Sequence, residues 1–166
     1  MSSGSWKNMA ETFIDPAALI AGLAEALAGV EPGRVAAALD ALWATGAFAV
    51  DRAPAKGLLM CPVRDPFDTE FFLGEVLVTT AAVRCGVRTG QGAILGDEPE
   101  KALLLAAVDA ARSGGRPELL NALMPAAADW TREAASRRRL ESQLAAATRV
   151  QFESMKKERV DFGSIG

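Results

Sequence analysis

The side chains of this chain that could carry chemistry are few. Three carboxylates, Glu75, Asp97 and Asp109, have neighbours that suggest more than solvation. Two thiols, Cys61 and Cys85, and an arginine run, Arg137-Arg138-Arg139, complete the set. Paired carboxylates can move protons. A thiol of lowered pKa can attack an electrophile. Guanidinium groups can hold a phosphate or a carboxylate. The chain has no histidine and no tyrosine. The first absence closes Ser–His and Cys–His activation and removes the imidazole ligands of common zinc and iron sites. Chemistry must then use Asp, Glu, Lys, Arg or Cys, or be supplied by another chain. The three carboxylates form no convincing catalytic pair, so the expectation is a chain with no catalytic, cofactor or metal-binding residues of its own. The alternative is a stand-alone enzyme working through Glu75, Asp97 or Cys85.

The elements that must position these residues change period twice. Asp15 caps and Pro16 opens a first helix with Leu19, Ile20, Leu23 and Leu27 at helical spacing, ended by Gly29. A second helix carries Val35, Leu39, Leu42 and Trp43 and stops at Gly46. Four β segments follow: Ala47 to Asp51, Leu58 to Arg64, Phe71 to Arg84 and Gly90 to Gly96. Ala53 to Gly57 reads as a turn between the first two. Pro62 calls for an edge position or a bulge, and the length of the third strand calls for a bend near Ala81-Ala82. Short connections favour an antiparallel meander. Asp97 and Glu100 resemble a capping box for a helix through Ala102 to Ala111, broken at Ser113-Gly114-Gly115. A short helix spans Pro117 to Leu123. A long one runs from about Pro125 to about Met155, with Trp130, Ala134, Leu140, Leu144, Ala147 and Phe152 as its stripe. The fold class is therefore α+β: an N-terminal helical pair, a roughly four-stranded antiparallel meander sheet and C-terminal helices. The expected organisation is a flexible start over 1–14, one domain over 15–156 and a tail over 157–166.

At 166 residues and 50% hydrophobic, the chain can bury a core. A net charge of −3 gives no reason to expect nucleic acid. No signal segment or apolar run of membrane length is present, and two cysteines do not make a disulfide framework, so a cytoplasmic protein with buried thiols is expected. The charge is uneven: Ala126 to the end holds 8 Lys+Arg and 6 Asp+Glu, against 10 and 15 in the rest. Arg137 to Arg139 reads as a solvated helix face or, more sharply, as a docking surface for an acidic partner or a phosphate-rich ligand.

Two motifs admit both a functional and a structural reading. Thr89-Gly90-Gln91-Gly92-Ala93-Ile94-Leu95-Gly96 suggests a nucleotide loop but fails on spacing, because the third glycine of a dinucleotide fingerprint would fall on Leu95. Acidic residues at 97, 98 and 100 would also repel phosphate from the following helix. Glu75 needs an arginine partner if it lies on a covered face, and Arg84 is the candidate; otherwise it is an exposed strand carboxylate.

Several segments, in order, resemble one family. They are Gly57-Leu58-Leu59-Met60; Phe72-Leu73-Gly74-Glu75-Val76-Leu77-Val78-Thr79-Thr80; Val83-Arg84; Gly90-x-Gly92-x-x-x-Gly96; and Ala102 to Asp109-Ala110. Together they are similar to the PhnG family. Thr148-Arg149-Val150-Gln151-Phe152-Glu153-Ser154-Met155 is similar to the signature of its C-terminal region, to which Arg159-Val160-Asp161-Phe162 can also be aligned. The resemblance covers about residues 47 to 156 and departs at Gly96-Asp97-Glu98, at Gln151 and in the first helices.

It implies a subunit of the carbon–phosphorus lyase system with PhnI-, PhnH- and PhnJ-type partners and a PhnL-type ATPase in the wider assembly. It further implies support for transfer of a phosphonate onto ribose C1 of ATP with loss of adenine, the chemistry lying on other subunits. Glu75, Arg84, Asp97, Arg137, Arg138, Arg139, Arg149 and Phe152 are then structural or contact candidates. The alternative is a stand-alone homo-oligomeric anion- or nucleotide-binding module that uses Arg137 to Arg139; a homodimer is a further candidate assembly.

Overall fold

The computed structural model describes residues 22–148. Its α+β architecture is a sheet layer under a helical layer. Two helices come first, α1 (Leu23–Leu27) and α2 (Pro32–Trp43). Pro32 opens α2 behind Glu31, where a missing N–H costs nothing and the ring pre-sets φ. The Asp15-Pro16 start of the first helix lies outside the described residues. Trp43 stacks on Phe48 with ring centroids 5.8 Å apart, which ties the end of α2 to the first strand.

The sheet has three strands, not four: β1 (Phe48–Arg64), β2 (Glu70–Cys85) and β3 (Arg88–Leu95), antiparallel in the order β1-β2-β3. The expected turn at Ala53 to Gly57 is strand. Its proline survives there because β1 is an edge, where an outward N–H has no ladder partner to lose. The surplus residues are absorbed as register shifts at Val50/Arg52 and Arg52/Ala55, opposite Ala82 and Thr80. The bend expected near Ala81-Ala82 is thus produced by β1 across from them. Pro62 falls at a third shift, Cys61/Pro62, at the edge and bulge its ring requires. β2 and β3 are joined by the two-residue loop Gly86-Val87, with φ +61° at Gly86, the position at which such a tight hairpin demands glycine.

Helix α3 (Pro99–Ser113) lies across β2 and β3. A short 3₁₀ turn (Pro117–Leu120) and the long α4 (Met124–Ala147) complete the helical layer. The capping box expected at Asp97 and Glu100 does not form. The helix begins at Pro99, and no side chain of Glu98 caps it. The Thr79 hydroxyl of β2 closes the joint instead: it donates to the Gly96 carbonyl at 2.6 Å and accepts the Glu98 N–H at 3.1 Å. The core between the layers holds Leu23, Leu27, Leu42, Leu104, Leu120, Leu123 and Trp130. Of the stripe expected on α4, Trp130 and Ala134 are buried, whereas Leu140 and Leu144 are exposed.

α3 and β3 meet backbone to backbone. A Cβ at Gly90 would collide with the backbone of Ala106 and Ala110, and one at Gly92 with the backbone of Ala102 and Ala106. Helix backbone cannot yield locally as a long side chain can. Gly92→Ala is therefore expected to lower the unfolding free energy by about 1–3 kcal/mol, whereas Gly57→Ala, facing open space, should change it by less than about 0.5 kcal/mol. Urea unfolding of the two variants checks the difference.

Candidate functional site

The sequence candidates do not converge. Glu75 and Arg84 stand nine positions apart on one strand, roughly 30 Å at ~3.3 Å per residue, and both are exposed. Among the described residues no ion pair joins them. Asp97 accepts a 2.9 Å bond from Lys56 Nζ. Asp109 accepts the Gln91 backbone N–H at 2.9 Å, which fastens α3 to β3. Cys85 is buried at the base of the sheet, whereas Cys61 is half-buried far out along β1; both are free thiols. The expectation of two buried thiols thus holds for Cys85 alone.

The arginine run is largely spent on the chain itself. Arg138 Nε lies 3.2 Å from Glu25 Oε1 of α1. The Arg137 guanidinium lies against Gly29, where any side chain would displace it. A further pair crosses the same helical layer: Arg34 of α2 donates to both Glu133 carboxylate oxygens, at 2.8 and 3.0 Å. Those hydrogen bonds hold the Glu133 carboxyl below its ordinary range and raise the Arg34 guanidinium above its own. Arg139 is exposed. Arg149 and Phe152 lie outside the described residues. Among the described residues no group of three or more Asp, Glu or Cys side chains could hold a metal ion, and no helix is long and apolar enough to cross a membrane.

The feature that does stand out is an arm. β3 pairs with β2 only between Val78 and Cys85, and α3 covers that same half. Beyond it β1 and β2 run on as a two-stranded ribbon, residues 57–77, up to the Arg64↔Glu70 pair. The tip is well built. Asp65 Oδ1 accepts the N–H groups of Phe67 and Thr69, and Arg64 bonds Asp68 at 2.9 Å. Along the ribbon Leu58, Leu59, Phe72 and Leu73 are 64%, 58%, 62% and 70% exposed, and Met60, Phe71 and Leu77 are exposed as well. Strand alternation puts Leu58, Met60 and Leu77 on the face that α3 covers further back, and Leu59 and Val76 on the other. The arm is therefore apolar on both faces. A two-stranded ribbon is marginal alone in water, and apolar patches of this extent mark surfaces that meet a partner. Its charges are one-sided: a single arginine, Arg64, against Asp65, Asp68, Glu70 and Glu75, a net of −3.

Residues 21–157 match the family model described as phosphonate metabolism protein PhnG. The chain belongs to the PhnG family. The match reaches back through α1 and α2, which the motif resemblance did not cover, and it ends before Arg159-Val160-Asp161-Phe162, the second possible placement of the C-terminal signature. No curated protein matches the chain. The PhnG-like strand motifs, Gly57 to Met60 and Phe72 to Thr80, fall largely on the arm, so the segments that carry the resemblance also carry the exposed apolar surface.

Sequence reasoning did not single out Leu58, Leu59, Met60, Phe71, Phe72 and Leu73 as contact residues. The signal was there. Apolar residues occupy both parities of both strands, whereas a strand with a solvent face alternates. Because the arm touches little of its own chain, Leu59→Ser with Phe72→Ser should leave the stability of the isolated protein within about 1 kcal/mol of the parent, whereas Leu104→Ala in the core should cost about 2–5 kcal/mol. Thermal and urea unfolding measure both.

Proposed function

We propose that this PhnG-family chain is a non-catalytic but required subunit of a cytoplasmic phosphonate-processing complex, held to its neighbours by the β1–β2 arm. The observation that carries this reading is the arm itself: a two-stranded ribbon that exposes apolar side chains on both faces. Such a surface is suited to burial in a larger assembly. The distribution of titratable groups supports it. Glu75, Asp97 and Asp109 stand on separate parts of the fold, and the last two are engaged within the chain.

In this reading the partners are PhnI-, PhnH- and PhnJ-type subunits, with a PhnL-type ATPase in the wider assembly. The reaction supported is displacement of adenine from ribose C1 of ATP by a phosphonate oxygen, giving ribose 1-phosphonate 5-triphosphate. The nucleosidase chemistry lies on the PhnI-type partner. The chain contributes surface and order to it. The alternative, an anion-binding module built on Arg137 to Arg139, is weakened because Arg137 and Arg138 already rest on α1 and the turn after it.

Coexpression with the neighbouring subunits tests the proposal. The chain is expected to copurify with a PhnI-type partner in fixed stoichiometry, and Leu59→Ser with Phe72→Ser is expected to abolish recovery of that complex. A parent chain that stays alone under these conditions, or that converts ATP to adenine unaided, contradicts it.

A further inference from the structure

The sheet has three stretches of edge, and they are not equivalent. The outer edge of β1 is blunted by Pro54, Pro62 and three register shifts, devices that discourage pairing. The outer edge of β3 is guarded: the Gln91 N–H, which points away from β2, is taken by the Asp109 carboxylate of α3 at 2.9 Å. The third stretch is the side of β2 that β3 abandons. The Gly96 N–H donates to the Leu77 carbonyl at 2.8 Å, so the backbone of Leu77 faces the β3 side. Backbone polar groups alternate along a strand, so those of Glu75 face the same way. The chain then turns off at Gly96, φ +93°. From Glu75 outward no strand of the described residues stands there. A notch remains, bounded by the end of β3 and the uncovered faces of the arm.

We infer that this notch accepts an extended segment of a partner subunit as a fourth strand, paired to the Glu75 side of β2 in the line that β3 leaves. The inference rests on the reading of the chain as a subunit and names the surface and the kind of partner. The incoming strand is apolar, because Leu77 and Met60 on one face and Val76 and Leu59 on the other flank it. It carries a lysine or arginine opposite Glu75, the one carboxylate in the middle of the arm, and meets an arm of net charge −3. That charge argues against a second copy of this chain. Two β2 edges laid together would set acidic arm against acidic arm, and like charges directly opposite destabilise a strand pair.

Two substitutions separate backbone pairing from side-chain contact. Glu75→Pro deletes an N–H that points into the notch and costs the β1–β2 ladder no bond. Glu75→Lys keeps the N–H and reverses the charge. Each is expected to raise the dissociation constant of the coexpressed complex by about tenfold or more, with Glu75→Gln falling between Glu75→Lys and the parent. Amide hydrogen exchange of the parent chain is the second readout. The Glu75 amide should exchange at least about tenfold more slowly in the complex than in the free chain. If Glu75→Pro does not fold, Glu75→Lys and the exchange rate decide.

A complex that forms while the Glu75 amide exchanges as fast as in the free chain overturns the inference and leaves the subunit reading standing. Protection of that amide in a homodimer of the free chain overturns the choice of partner. Failure to recover any complex sinks the subunit reading and this inference with it.

Discussion

Gly90 and Gly92 let α3 lie against β3 with backbone touching backbone, and the rest of the fold follows from where that helix sits. Side chains of ordinary size would hold the helix away and open a gap under Ala102, Ala106 and Ala110, which have no length to fill it. Once α3 is seated, α1 and α2 pack against its far side and α4 lies on α1, so that Leu27, Leu104 and Trp130 share a single core. The Thr79 hydroxyl and the Asp109 carboxylate fix the two ends of the contact. The same seating sets a limit. α3 covers only the half of the sheet to which β3 contributes, and the remaining half of the β1–β2 hairpin is left with nothing over it.

That division explains how one small chain can be both well packed and incomplete. The covered half holds a dense core with few groups suited to chemistry. The uncovered half holds the apolar surface and most of the one-sided charge. A protein that needed only to fold would gain by shortening the hairpin to the length of β3, because exposed Leu58, Phe72 and Leu73 contribute little to a free chain and favour aggregation. The long arm, tied off by Asp65 at its tip, makes sense as part of a larger structure.

Much of this was legible in the residues. Helical spacing located α2, α3 and α4, and the glycines of β3 read as structural rather than nucleotide-binding. The ordered strand motifs pointed to the PhnG family, which the family match bears out. Ala53 to Gly57 has the composition of a turn and so points to four strands where there are three; only the position of β1 at an edge lets Pro54 stay in a strand, and edge position is a tertiary fact. The start of α3 departs from a capping box for a similar reason. The oxygen that receives the Glu98 N–H comes from Thr79, some twenty residues away on another strand, while Asp97 is drawn to Lys56. Arg137 and Arg138 looked free in sequence because Glu25 and Gly29 are more than a hundred residues distant. The arm was visible as a failure of alternation, but an apolar run on both parities also describes a strand buried on both faces, and nothing in the sequence separates burial in this chain from burial in another.

The arm is bare in the isolated chain and, in the proposed assembly, covered by partner subunits. Hydroxyl-radical footprinting of Met60, Phe67 and Phe72, in the purified chain and in the assembly recovered with its partner subunits, tests it most directly. All three are expected to oxidise readily in the free chain, with strong shielding of Met60 and Phe72 in the assembly. Equal reactivity of Met60 and Phe72 in both states would contradict it.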